Sequence, residues 1–365
     1  MLSTFWQQPR QKHHPQSQPR ESVPGTQAPS DSVTQHAQAL TWSADSFCPR
    51  RPRPRMPSGA ALSIDYAVDA DGGADPSPFY VAEIEGKGIG LRANRSIAKG
   101  EVLMVRTPTL VAQAELVNEL EPRVRDMMYA VAMARLPKGR RNAFLAQMGR
   151  DVRDKIDVNC FQLFIHGAGE KGASHVTCYP DIARFNHDCR PNVHYRITNT
   201  TITTIAVRDI QRGEELTVSY IDVFLPSRER KRTIRSWGFE CACALCQGPR
   251  NETVASDKRL RRIKQLQDDL NDFKEVKVSA ETGAEYTALH EEEGLYGHLG
   301  SVYTRAALNS ALFGDEKGSR EYARRAAEEL SLEKGPECAD AKAMRGLAED
   351  PRAHWTWGKR RKAEK

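Results

Sequence analysis

Two short stretches concentrate side chains able to bind a metal or hold a reacting group. In FECACALC, residues 239–246, thiols stand at Cys241, Cys243 and Cys246. Thiolates at C-x-C-x-x-C spacing form a zinc-type donor set, and a structural zinc ion takes four ligands in a tetrahedron. One ligand must therefore come from another part of the chain. In FNHDCRPN, residues 185–192, an Asn, a His and a Cys are adjacent. Cys189 is the candidate for the fourth thiolate, and its metal bond would pin the thiol run beside Asn186 and His187. Three of eight cysteines within six residues of a long chain point to metal before disulfide. Two further features flank these. Tyr220 closes the β-prone run RGEELTVSYID, and GKGIG, residues 86–90, offers a backbone that a ligand can approach closely. The glycine run fails the dinucleotide pattern, since no long helix follows Gly90 and no βαβ unit surrounds it.

Those residues need elements to carry them. Residues 1 to about 60 are rich in Gln, Pro, Ser and Arg and end in CPRRPRPRMPSG, a composition that cannot bury enough surface to order itself. Order is expected from Phe79. YVAEIEGKGIGLRANRSIAKGEVLMVRTPTLV alternates β-prone runs with glycine turns at Gly86, Gly88, Gly90 and Gly100, giving two or three strands. The period then changes. Leu116, Leu120, Val124, Met127 or Met128, and Val131 recur at helical spacing until LPKG breaks the pattern, and a shorter helical piece follows around Phe144–Met148. From Asn159 to Tyr220 β patterning resumes, most plainly in VHYRI and TITTIAV, which read as a hairpin across Asn199-Thr200. The class is α+β, with sheet pieces around a helical insert.

Beyond the thiols the chain turns helical. Leu260, Ile263, Leu266, Leu270 and Phe273 mark one amphipathic face. Helices over about 294–313 and 319–333, joined by GDEKG, fit either a tetratricopeptide-like hairpin or a plain helical bundle. Five units are expected: 1–76 disordered, 77–232 holding the β pieces with a helical insert at about 113–158, 233–250 a zinc segment, 255–357 helical, and 358–365 a charged tail. No run approaches the ~20 apolar residues of a spanning helix, so membrane insertion is not expected and an intracellular protein is. A net charge of +6 is too modest to indicate direct nucleic-acid binding, which is not expected.

GKGIGLRA, ARFNHDCRPNV, GEELTVSY and FECACALC, in this order and around a helical insert, resemble the SET-domain protein lysine methyltransferases. The likeness covers about residues 80–248 and is nearest to the SET-and-MYND branch and its fungal relatives. It implies small curved β-sheets with a pseudoknot, S-adenosylmethionine as cofactor, and zinc held by Cys189, Cys241, Cys243 and Cys246. It also implies that Lys87, Gly88 and Ile89 line the cofactor through main-chain groups. Asn159, Asn186 and His187 would hydrogen-bond the cofactor, and Phe239 would stack on its adenine. Phe161, Tyr220 and Trp237 would wall a channel for the substrate lysine, with Tyr220 as the catalytic tyrosine. Taken singly, these residues read as core histidine, sheet tyrosine and core aromatics; the joint pattern carries the assignment.

That chemistry explains the residue types. With an ordinary pKa of ~10.4, only about one lysine in a thousand is neutral near pH 7.4. Burial in an apolar channel lowers a lysine pKa by up to ~3–5 units, so no carboxylate base is required. The chain also departs from the branch. Residues 110–158 contain no cysteine, so the cysteine-rich zinc module of the SET-and-MYND proteins is absent, and position 237 is Trp where near relatives carry Tyr. Two readings follow from the resemblance: a lysine methyltransferase acting on a histone or another protein in nucleus or cytoplasm, or a catalytically silent scaffold. In either, the helical region could bind partner proteins, and a monomer is expected.

Overall fold

The structure is a computed structural model, and it describes residues 77–165, 174–272 and 277–360. The segment expected to be disordered, Phe273 and residues 361–365 of the tail lie outside them. Ten strands among the described residues form three small sheets. The first, in the order β1-β2-β10-β7, joins Phe79–Ile84 (β1), Gly88–Ala93 (β2), Glu215–Val218 (β10) and Asn186–His187 (β7). The second joins Val102–Arg106 (β3), Thr201–Ala206 (β9) and Val193–Thr198 (β8), and the third Leu110–Gln113 (β4), Ser174–Cys178 (β6) and Cys160–Phe164 (β5). The hairpin of β8 and β9 closes with Thr198 opposite Thr201, and Asn199 takes the left-handed conformation, φ 55°, that a two-residue turn demands. Val193 and Tyr195 face the core, as the alternation in VHYRI requires.

The insert departs from its sequence pattern. Pro122 starts a new helix, so the expected single helix is two, Ala114–Glu119 (α1) and Pro122–Arg135 (α2), the second capped by the Glu121 carboxylate accepting from the Arg123 N–H. The break resets the helical face. Leu116, Val124, Met127 and Val131 are left 44–63% exposed, while Val117, Tyr129 and Met133 face inward with Phe144. Lys138–Leu145 (α3) and Val152–Asn159 (α4) complete the insert. Cys160 and Cys178, register partners on β5 and β6, belong to this local core.

After β10 come Ser227–Arg235 (α5), Ala244–Gln247 (α6), Arg250–Asn271 (α7), Thr282–Glu292 (α8), Leu299–Phe313 (α9), Glu316–Lys334 (α10) and Ala339–Glu349 (α11). The turn between α9 and α10 is only Gly314-Asp315: Gly314 takes φ 73°, Asp315 caps α10, and the remaining EKG of GDEKG is already helix. A connection this short makes the two helices antiparallel neighbours.

This helical region docks on the β3-β9-β8 sheet. Arg196 of β8 donates to the Leu332 carbonyl at 2.7 Å, and Lys99 pairs with Glu329. A tighter link reaches the FNHDCRPN segment. Arg190 donates to the carbonyls of Cys189 (2.5 Å) and Val223 (3.0 Å) and pairs with Glu293, whose other oxygen takes Arg259 at 2.6 Å. Ser256 Oγ donates to Glu293 at 2.5 Å. Burial alone would raise the Glu293 carboxyl, but Arg190 and these hydrogen bonds hold it below its ordinary value. Nearby, His194 of β8, His290 of α8 and His298 before α9 are kept neutral, with pKa values lowered to about 4, 4 and 3, first by burial; at His298 repulsion by Arg190, and by either of the other two rings once protonated, adds to it.

Two outcomes are expected. Glu293→Ala, which strands a buried guanidinium, should cost about 3–5 kcal/mol in denaturant unfolding, whereas a loss under 1 kcal/mol would mean the pair is idle. The histidines have folded pKa values below their unfolded ~6.5, so stability is full above that pH and falls as pH drops toward about 4. His298→Gln should flatten the acid side of a Tm-versus-pH profile, and an unchanged slope would count against it.

Candidate functional site

The site is built where two distant segments run side by side. Asn186 and His187 pair in parallel with Thr217 and Val218, and the Asp188 N–H donates to the Val218 carbonyl at 3.1 Å. So short a pairing needs help, and Asn192 supplies it. Its buried side chain accepts from the Thr217 N–H at 2.9 Å and donates to the Glu215 carbonyl at 2.8 Å, standing in for missing ladder bonds. The second Asn of FNHDCRPN therefore has a structural task that reading the sequence did not assign.

On one side of this crossing lies β2. A Cβ added to Gly90 would sit 2.5 Å from Asn186 Nδ2 and 2.8 Å from Ile84 Cγ1, so the Asn186 side chain rests against bare backbone that only glycine allows. Asn186 Nδ2 donates to Glu215 Oε1 at 3.0 Å, and the other Glu215 oxygen pairs with Lys87 at 2.6 Å. Lys87, on the turn before Gly88 and Ile89, is thereby tied to the crossing through Glu215. Glu215 was visible inside GEELTVSY but was given no role. Gly88 takes φ 80°, and Ile89 turns its side chain to solvent, leaving main-chain groups as what this strand offers.

His187 has both ring nitrogens engaged. Nδ1 accepts from the Tyr220 N–H at 3.0 Å, so in the neutral ring Nε2 carries the proton, and it lies 3.4 Å from Cys189 Sγ. The side chain thus couples the Tyr220 backbone to a thiol, leaving its main chain for any ligand. The Tyr220 ring stands 4.7 Å from Trp237, 5.5 Å from His187 and 6.3 Å from Phe239, the last edge-on. Its hydroxyl donates to the Phe185 carbonyl at 2.5 Å. Phe161 lies in the same buried cluster, edge-on to Tyr195 of the VHYRI strand and to Tyr179, an aromatic not singled out in the sequence. Asn159 is turned to its own helix: its amide donates to the Met148 and Lys155 carbonyls at 2.8 and 2.7 Å, fastening the end of α4.

The four thiols meet. Cys189, Cys241, Cys243 and Cys246 place their sulfurs within 4.8 Å of one another, with Cys189 at 3.9 Å from Cys241 and 3.6 Å from Cys246. Four sulfurs at ~2.3 Å from a central zinc would be about 3.8 Å apart, whereas a disulfide needs about 2.05 Å, so the set fits a tetrahedral metal and not a bridge. Hydrogen bonding among the thiols raises Cys189 and lowers Cys246. Arg230 adds to the fit. It is completely buried on the inner face of α5, its Nη1 donates to the Leu225 carbonyl at 2.7 Å, and its Nε and Nη2 have no hydrogen-bond partner among the described residues. Its charge favours the Cys246 thiolate, and a zinc with four thiolates carries net −2, a counter-charge that explains a buried guanidinium. Within SRERKRTIR nothing distinguished Arg230 from its solvated neighbours.

Elemental analysis should find one zinc per chain, reduced to a trace in Cys243→Ser. Arg230→Met should retain the metal but release it to a chromophoric chelator at least tenfold faster; an unchanged rate would remove Arg230 from the metal's support.

The SET-domain family model matches residues 88–221. Human histone-lysine N-methyltransferase SMYD3 is 35% identical over 106 residues, 28% of this chain and 24% of that protein. Fission yeast histone-lysine N-methyltransferase set5 is 28% identical over 188 residues, 47% of this chain and 56% of that protein. Human N-lysine methyltransferase SMYD2 is 29% identical over 184 residues, 48% and 40% of the two chains. The matches thus span from a quarter to just over half the length of these curated relatives. The matched segment, residues 88–221, contains the threaded crossing, and over that segment the chain is similar to the SET domain of these lysine methyltransferases.

Proposed function

We propose that this chain is an S-adenosylmethionine-dependent protein lysine N-methyltransferase acting on a histone or another lysine-bearing protein, in nucleus or cytoplasm. The observation that carries the reading is the β7–β10 pairing, which sets Asn186 and His187 beside Tyr220 and closes the set with Trp237 and Phe239. Residues 77–232 would form the catalytic domain, 233–250 its zinc-held lid, and 255–357 a helical region available to partner proteins.

The cofactor would supply an electrophilic methyl group on a sulfonium. Main-chain groups of Lys87, Gly88 and Ile89 and the side chain of Asn186 would hold it, with Phe239 against its adenine. The residues of this chain then have two tasks, a neutral amine and its alignment. Trp237 and Tyr220 are buried, so a lysine ammonium placed against them loses hydration and its proton is released more easily. Because the Tyr220 hydroxyl spends its proton on the Phe185 carbonyl, its oxygen remains an acceptor, and both oxygens can receive N–H groups of an entering amine. That fixes the direction of the nitrogen lone pair, a gain in alignment rather than in base strength. The bulk of Trp237 against Tyr220 would limit how many methyl groups the nitrogen carries.

Mass spectrometry of cellular proteins incubated with enzyme and isotope-labelled cofactor tests the reading, with mixed histones as first substrates. Tyr220→Phe should lower transfer by about 10²-fold or more while cofactor affinity measured by calorimetry changes less than threefold. Asn186→Ala should weaken cofactor binding at least tenfold. Trp237→Tyr should shift product toward higher methylation. Cofactor binding without transfer to any protein would replace this proposal by the scaffold reading.

A further inference from the structure

The helix that covers the thiol cluster has two unlike faces. Arg230 and Ile234 of α5 are fully buried, while Arg228, Lys231, Arg232 and Arg235 are exposed. At helical spacing these four cations share a single face about 10 Å long. Arg228, Lys231 and Arg232 make no ion pair among the described residues, and Arg235 has only an exposed pair with Glu240, with side chains 66% and 79% accessible. Such a pair exchanges readily with another anion. The basic face continues. The Ser227 N–H donates to Asp257 of α7 at 2.7 Å, which brings the first turns of α7 against the start of α5. Lys258 and Arg261, next to Asp257 and one turn beyond it, are exposed and make no ion pair among the described residues, whereas their neighbours Arg259 and Arg262 are bound to Glu292, Glu293 and Glu285. The acids facing this surface are Glu229, set to one side of the stripe, Glu240 and Asp257.

We propose that the outer face of α5, extended by Lys258 and Arg261, binds the phosphate backbone of duplex nucleic acid. Three arguments favour a phosphate backbone over an acidic polypeptide. Four of the six cations are arginines, whose planar forks match phosphate oxygens. The stripe spans the axial rise of about three phosphates of one strand. No large apolar side chain is exposed on α5 to anchor a peptide. The chain's net charge of +6 did not suggest such a partner; the fold gathers the cations onto one surface. The inference does not depend on methyl transfer.

The test is fluorescence anisotropy of the full chain with a labelled duplex of about 20 base pairs at several salt concentrations. Wild type is expected to bind with a Kd of about 10⁻⁶–10⁻⁴ M near physiological salt and to lose affinity steeply as salt rises. Replacing Arg228, Lys231 and Arg232 together by Gln should weaken binding at least tenfold and reduce the log–log salt slope by about 3, with zinc content showing that the variant is folded. Lys258→Gln alone should reduce the slope by about 1. No binding below 100 μM would overturn the proposal. So would undiminished binding by the triple variant, which would place the contact in the Arg50–Arg55 run, or equal affinity for poly-glutamate of matched charge, which would point to an acidic protein.

Discussion

The structure depends on a two-residue parallel pairing. Asn186-His187 against Thr217-Val218 is too short to hold two segments together by its own ladder, and each neighbouring feature of the site reinforces it. Asn192 supplies two side-chain bonds to the partner strand, His187 accepts the Tyr220 N–H, and Asn186 reaches Lys87 through Glu215. The pairing also explains why FNHDCRPN is crowded. One Asn rests against β2 at Gly90, His187 joins the tyrosine to a thiol, Cys189 enters the four-thiol cluster, Arg190 ties in the helical region, and the last Asn locks the partner strand.

Buried charge is handled in two ways. Arg190 and Glu293 neutralise each other between the knot and the helices, with Arg259 and Ser256 completing the bonds of the carboxylate. Arg230 has no carboxylate partner among the described residues, and the four thiolates a zinc ion would hold would be its counter-charge. A zinc ion there would be coupled to helix α5, because the same helix buries the compensating cation on its inner face and turns Arg228, Lys231, Arg232 and Arg235 outward.

Trp237 and Phe239 follow α5 directly and precede Cys241, so the aromatic wall around Tyr220 is held at one end by packing of Ile234 and at the other by the cluster of four thiols. The Tyr220 hydroxyl is positioned by a backbone carbonyl and not by a mobile side chain, which would suit the alignment role proposed for it.

Local patterns in the chain already determined the strands around Gly86 and Gly88, the Asn199-Thr200 hairpin, the α+β class, and the thiol spacing that demands a fourth ligand. These are short-range properties, set by turn conformations and by alternation that a single strand must satisfy. Tertiary structure alone decided the rest. It showed Leu116, Val124, Met127 and Val131 facing solvent, because a proline reset the helix and periodicity names a face without naming what covers it. It gave Asn192, Glu215 and Arg230 their tasks, since Asn192 and Glu215 find partners as far as 128 residues away and an Arg within SRERKRTIR looks the same whether buried or solvated. It also turned Asn159 toward its own helix end and bound both nitrogens of His187. Residue type limits what a side chain can bond to, but which partner arrives depends on chain threading.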